Sequence, residues 1–139
     1  MQDTNCIFCK IVLGQIPAIK VFESDTALAF LDVGPLAEGH VLIVPKEHYS
    51  DIRKITPEEL ALVMTPIPKL AAAIMRATGA QGLNFLQNTG AVAGQSVFHL
   101  HFHLIPRNDS DGLGYRWNAG KYAEGRAEEL RTKIMAELA

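Results

Sequence analysis

Ser96-Val97-Phe98-His99-Leu100-His101-Phe102-His103-Leu104-Ile105 alternates imidazole and apolar side chains without a break from Phe98 to Leu104. Successive side chains of a β-strand point to opposite faces. The pattern therefore predicts a strand over 96–105 with His99, His101 and His103 on one face and Phe98, Leu100, Phe102 and Leu104 on the other. Alternate residues stand about 6.6–6.8 Å apart along a strand, so His99 and His103 would be about 13 Å apart. One metal ion cannot take all three from a straight strand. Two of them can serve one ion, which leaves the others for different work.

Outward from this segment, compact apolar stretches bounded by Gly, Pro, Asn or Asp predict four more strands, at 20–23, 27–32, 40–45 and 83–88. Thr56-Pro57-Glu58-Glu59 is a helix start, with Thr56 as cap, Pro57 at the first helical position and Glu59 placed to complete a capping box. Pro66 and Pro68 then kink the helix or divide it into two pieces ending near Thr78-Gly79. Leu130, Ile134, Met135 and Leu138 share one face of a C-terminal helix, expected to pack by that stripe. Before it, 108–121 is a Gly-rich loop carrying Tyr115 and Trp117. Strands joined mostly by short connections, with one long helical insertion, predict an α+β domain on a five-stranded antiparallel sheet.

The 139 residues suit a single domain, with its core over about 6–107 and the loop and helix of 108–139 appended. Thirteen basic against 15 acidic residues, net charge −2, give no broad electrostatic reason to bind a nucleic acid polymer or an anionic membrane. No uninterrupted apolar run approaches the ~18–20 residues of a membrane span, and Asp3 sits where a signal peptide carries positive charge. A cytoplasmic location is the expectation. Cys6 and Cys9 are the only cysteines, and their C-x-x-C spacing leaves metal and redox chemistry open.

The histidine segment closely resembles the defining motif of the histidine triad family of nucleotide-binding hydrolases and transferases. His99-Leu100-His101-Phe102-His103-Leu104-Ile105 matches it in full, and Gly94-Gln95-Ser96 with Asn88 looks like the phosphate-contacting turn of the branch acting on purine nucleoside phosphoramidates. Phe8, Leu28–Asp32 and Gly39–Lys46 match as well. The resemblance implies a homodimer formed through the helix and an edge strand. It implies that His101 is the nucleophile, that His103 and Ser96 contact the phosphate or leaving group, and that His40 supports the triad. Asp32 would accept hydrogen bonds from both ribose hydroxyls. Asn88, Gly94 and Gln95 would border the phosphate, and Ile7, Phe8, Ile11, Phe30, Leu31 and Val33 would line the slot for the base.

Some members of the family resemble this chain in carrying two cysteines and a histidine at the positions of Cys6, Cys9 and His48, with the first triad histidine, here His99, as fourth ligand. That resemblance implies a structural zinc, because four protein ligands leave no open position. Val97-Phe98 stands where the diadenosine polyphosphate branch has a glutamine, which favours cleavage of phosphoramidates releasing AMP or GMP. Two alternatives stay open: a dinucleoside polyphosphate hydrolase and a nucleotide-binding regulatory or scaffold module. Trp117 is expected near the active site of a partner subunit.

Overall fold

The computed structural model describes residues 2–114 and 118–139. Five strands, β1 (Lys20–Glu23), β2 (Ala27–Leu31), β3 (Val41–Pro45), β4 (Gly82–Gln87) and β5 (Phe102–Arg107), form one sheet in the order β1-β2-β3-β5-β4. Every neighbouring pair is antiparallel. Four α-helices accompany it among the described residues: α1 (Ile7–Val12), α2 (Pro57–Met64), α3 (Ile67–Thr78) and α4 (Arg126–Leu138), with a 3₁₀ turn at Ala91–Ala93. The architecture is α+β, as the strand pattern predicts.

β2 and β3 are buried on both faces, and their alternation divides the core in two. Ala27, Ala29, Val41 and Ile43 face Val63 of α2 and Leu70 and Ile74 of α3. Leu28, Phe30, Leu42 and Val44 face Phe8 and Ile11 of α1, with Cys6 and Cys9. His103 is opposite Leu42, which is opposite Phe30, and paired residues share a face. The register therefore places the third histidine on the α1 side of the sheet.

Four expectations are corrected. The last strand runs over Phe102–Arg107 and not over 96–105, so His103 alone of the three histidines stands in the ladder. The Leu100 N–H is instead donated to the Tyr49 carbonyl at 2.6 Å, outside the sheet. Pro106 stands two residues past Leu104, whose pair with Val41 is the last to β3, and is matched only with Leu83 of β4. Helix α1 was not expected: it is six residues long and capped by a cysteine, Cys6 Sγ accepting from Cys9 N–H.

Thr56 does cap α2, its Oγ1 accepting from Glu59 N–H at 3.2 Å, but Glu59 does not close the capping box, since its carboxylate accepts from the Tyr49 hydroxyl. The C-terminal helix forms without burying its stripe: Ile134, Met135 and Leu138 are 59, 56 and 80% exposed. The helical insertion divides at Thr65-Pro66, and Gly79 closes α3 in the left-handed conformation. The two pieces span 22 residues with mean hydropathy 1.4, long and apolar enough for a membrane by composition, which a count of uninterrupted runs does not register. Their buried side chains, Val63, Leu70 and Ile74, belong to the core on the sheet. Tyr115 and Trp117 lie outside the described residues.

Candidate active site and metal centre

A pocket of about 240 Å³ opens between α1, the end of β2 and the histidine segment. Its lining includes the apolar side chains Ile7, Phe8, Ile11, Phe30, Leu31 and Val33 and the polar residues Asp32, Ser96, His101 and His103. All ten were expected there. Pro17, Ala18, Leu42 and Val97 complete the lining. Nothing in their sequence context separates them from ordinary core or loop residues.

Two backbone contacts and one contact between rings assign the protons on the imidazoles. His101 Nδ1 is 2.7 Å from the His99 carbonyl oxygen, which can only accept, so Nδ1 carries the hydrogen and Nε2 keeps its lone pair. His40 Nδ1 accepts the Leu36 N–H at 3.1 Å, so the hydrogen of neutral His40 is on Nε2 and is donated to His103 Nδ1 at 2.9 Å. His103 is left with its hydrogen on Nε2. The pocket thus receives a lone pair from one histidine and a donor from the next, the rings being 5.0 Å apart.

Burial holds these rings neutral. It pushes His101 and His40 below the ordinary histidine value, and His103 to about 4, with the neighbouring imidazoles adding to the effect on His103. Phe8 packs edge-on against His101 at 5.1 Å and against Phe30 at 5.6 Å, so α1 excludes water from one side of the rings. Asp32 Oδ1 accepts the Gly34 N–H at 2.9 Å, and Oδ2 is 3.7 Å from His40 Nε2. Asp32, His40 and His103 cluster closely enough to suggest a metal. The Leu36 N–H forbids it, since His40 cannot give Nε2 to an ion while Nδ1 accepts a hydrogen bond.

The turn before the histidines is held from within. Gly90 and Gly94 have φ of +90° and +98°, a region that favours glycine. Gln95, expected among the nucleotide contacts, is buried and directs its side chain inward: Oε1 accepts the Gly90 N–H at 2.8 Å, and Nε2 donates to the Ser50 and Val97 carbonyls at 2.8 and 3.1 Å. Asn88 lies against Gly94, whose added Cβ would be 3.3 Å from Asn88 Nδ2. These three residues do not line the pocket; they shape the turn that presents Ser96 to it.

Behind the pocket, Cys6, Cys9, His48 and His99 bring their ligand atoms within 4.8 Å of one another. The Sγ to Nδ1 separations are 3.4 Å for Cys6–His99, 3.4 Å for Cys9–His48 and 3.5 Å for Cys9–His99, and the two Nδ1 atoms are 3.2 Å apart. Ligand bonds of about 2.0–2.3 Å at tetrahedral angles require edges of about 3.3–3.7 Å. The four residues can hold one metal ion. The surroundings agree: His99 Nε2 donates to the Pro45 carbonyl at 2.9 Å, which turns the Nδ1 lone pair to the sulfurs, and Asp3 and Cys9 donate backbone N–H groups to Cys9 Sγ and Cys6 Sγ. Burial pushes His99 down to about 4 and the Cys9 thiol up.

Residues 13–110 match the HIT domain. The chain is 44% identical over 111 residues to adenylylsulfatase HINT3 of Arabidopsis thaliana, covering 80% of this chain and 56% of that protein. It is 44% identical over 135 residues to adenosine 5′-monophosphoramidase hnt1 of Schizosaccharomyces pombe, covering 96% of this chain and 98% of the relative. The crystal structure of SMU.412c from Streptococcus mutans UA159 superposes with a TM-score of 0.95 at 40% identity, covering 99% of this chain and 88% of that one. With the domain match over most of its length and relatives above 40% identity, the chain belongs to the HIT domain family.

Proposed function

We propose that the protein is a hydrolase of nucleoside 5′-phosphoramidates, or of closely related nucleotidyl conjugates, working through a nucleotidyl-His101 intermediate. The observation that carries the reading is the His101 Nδ1–H to His99 carbonyl bond, which leaves Nε2 unprotonated inside the pocket. The base occupies the slot of Ile7, Phe8, Ile11, Phe30, Leu31 and Val33, and Asp32 accepts from the ribose hydroxyls. His101 Nε2 attacks the α-phosphorus, the bond to the leaving amine breaks with a proton supplied to the amine, and water then cleaves the phosphorus–nitrogen bond to release the nucleotide. The His103 Nε2–H and the Ser96 hydroxyl donate to the phosphoryl oxygens as charge develops on them. Asn88, Gly94 and Gln95 hold the turn in place.

The two curated relatives, one named for a phosphoramidate and one for adenylyl sulfate, support an adenosine 5′-phosphoryl half common to differing leaving groups. Cys6, Cys9, His48 and His99 would hold zinc, which supplies a structural cross-link between α1 and the histidine segment. A homodimer is part of the same reading, supported by exposed Phe85 and Leu86 on the edge strand β4 and by the uncovered stripe of α4.

The test is AMP release from adenosine 5′-phosphoramidate by the purified protein, beside His101→Ala and with a diadenosine polyphosphate as competing substrate. Rapid His101-dependent release is expected, with a nucleotidyl adduct on His101 by mass spectrometry. Preference for the dinucleotide would overturn the substrate assignment, and tight AMP binding without turnover would overturn the enzymatic one.

A further inference from the structure

We propose that Cys6 and Cys9 form a peroxide-sensitive oxidation site: their disulfide replaces the metal and releases α1 from the wall of the nucleoside pocket. Only this last consequence rests on the functional reading above. Cys6 and Cys9 differ in exposure. Cys6 lines a second, surface cavity of about 300 Å³ together with His48, Ser96 and Phe98, whereas Cys9 is fully buried. A small oxidant therefore meets Cys6 first, and Cys9 stands behind it as the resolving thiol.

The two sulfurs lie within the 4.8 Å cluster, at the first and fourth positions of one helical turn, and Cys9 N–H already points at Cys6 Sγ at 3.4 Å. Metal-bound thiolates are deprotonated, and the thiolate is the form that reacts. The Cys6 thiolate attacks hydrogen peroxide, breaking the O–O bond to form sulfenic acid and release hydroxide; the Cys9 thiolate then attacks the Cys6 sulfur, displaces its hydroxyl as a second hydroxide and closes the S–S bond. Two electrons pass from the sulfurs to the peroxide oxygens. His48 and His99 alone then hold the ion, and two neutral imidazoles are a weak site.

The consequence follows from what the four ligands join. Cys6 and Cys9 belong to α1 and its cap, which supply Ile7, Phe8 and Ile11 to the pocket. His99 belongs to the segment whose carbonyl fixes the tautomer of His101. With the ion in place, one covalent staple holds the base slot against the nucleophile. A disulfide within α1 makes no link to His99, so the slot loses its anchor. By reciprocity, nucleotide binding and metal binding strengthen one another.

Reduced protein loaded with one zinc per chain is treated with hydrogen peroxide while a chromogenic chelator reports free zinc. Peptide mapping without reductant locates the disulfide, and AMP affinity is measured before treatment, after it, and after dithiothreitol with added zinc. Zinc release should parallel a peptide holding Cys6 and Cys9 two hydrogens lighter, and the Kd for AMP should rise about tenfold and recover on reduction. A second arm removes zinc by chelation with the thiols kept reduced, and should weaken AMP binding equally. Retention of zinc and both thiols, loss through disulfides between chains, or an unchanged AMP affinity after release would each overturn the proposal. If reduced, loaded protein fails to bind AMP at all, the functional reading fails, while zinc release and disulfide mapping still decide the oxidation site.

Discussion

His101 Nδ1 donates to the carbonyl oxygen of His99 at 2.7 Å, while the His99 ring turns its own Nδ1 away toward Cys6 and Cys9 at 3.4 and 3.5 Å. One residue thereby joins two sites, its backbone setting the proton on the proposed nucleophile and its side chain completing the four-residue cluster that can hold a metal ion. His101 and His103 are distinguished by the same means, the first by a carbonyl acceptor and the second by the His40 donor.

That difference separates their variants. His101→Ala removes the attacking nitrogen and should abolish turnover, with kcat down by at least about 10³-fold while AMP still binds. His103→Ala removes one donor aimed at developing phosphoryl charge and should lower kcat by about 10²–10³-fold with little change in KM. His40→Ala should follow His103 at smaller magnitude, because it acts through that ring. Steady-state kinetics on one substrate checks all three, and equal losses at His40 and His101 would contradict the assignment.

Acid should act on both activity and stability, and the sign follows from burial. The folded values of His101 and His103 lie below the ordinary 6.5, that of His103 at about 4, so the unfolded chain binds more protons between those limits. Stability from these groups is complete above about pH 6.5 and is lost as pH falls toward 4. Thermal midpoints should be flat from pH 8 to 7 and fall below 6.5. The kcat/KM profile should hold its plateau below 6.5, past the point where an exposed histidine would have protonated. A midpoint that rises on acidification would refute the neutral-triad assignment.

His48→Ala and Cys9→Ser should each lower bound zinc from one per chain toward none, read by atomic emission. Thermal stability should fall with it, since a buried ligand set without its ion leaves polar groups uncompensated. Turnover at saturating substrate should persist, because none of the four side chains lines the nucleotide pocket, while KM should rise as α1 loses its anchor. Full zinc occupancy in Cys9→Ser would remove Cys9 from the set.

Asp32→Ala should raise KM for a ribonucleotide substrate by roughly tenfold to a hundredfold, the cost of about 1–3 kcal/mol for hydrogen bonds to a charged acceptor. The 2′-deoxy analogue should lose affinity in the native protein and lose little more in the variant. A double-mutant comparison of the two substrates reads the coupling directly.

The central strands were legible because burial there obeys one rule: in β2, Ala27 and Ala29 meet the large helices while Leu28 and Phe30 meet the small one, and strict alternation reports that. The histidine segment obeys the same alternation for another reason. Its period matches a strand, but the Leu100 N–H goes to Tyr49 and His101 bonds its own backbone two residues back, and no periodicity distinguishes those partners from a ladder. Gln95 was read as a contact because a turn residue beside a phosphate motif has two obvious uses. Its three inward side-chain bonds are tertiary partners that no local sequence pattern reports. The stripe of α4 was legible as a pattern, but spacing alone does not say whether a helix face is covered, and Ile134, Met135 and Leu138 are exposed among the described residues.

Gly39 is the position where the backbone itself can be tested. It has φ of +90°, and a Cβ there would stand 2.5 Å from Thr78 Cγ2 and 3.4 Å from Pro106 Cγ. Gly39→Ala meets two separate penalties, the left-handed backbone and a steric clash with the last turn of α3, and should lower stability by about 1–3 kcal/mol in denaturant titration. Thr78→Ala removes the clashing methyl but also the Thr78 hydroxyl bond to the Ile74 carbonyl at 2.7 Å, so alone it destabilises too. In the double variant the costs should sum to less than the two singles, since the clash is absent, while the φ penalty remains. Strict additivity would mean that α3 yields freely at Gly39. Because His40 follows at once and its ring holds His103, Gly39→Ala should also lower kcat more than it raises KM, a split that simple loss of folded protein does not produce.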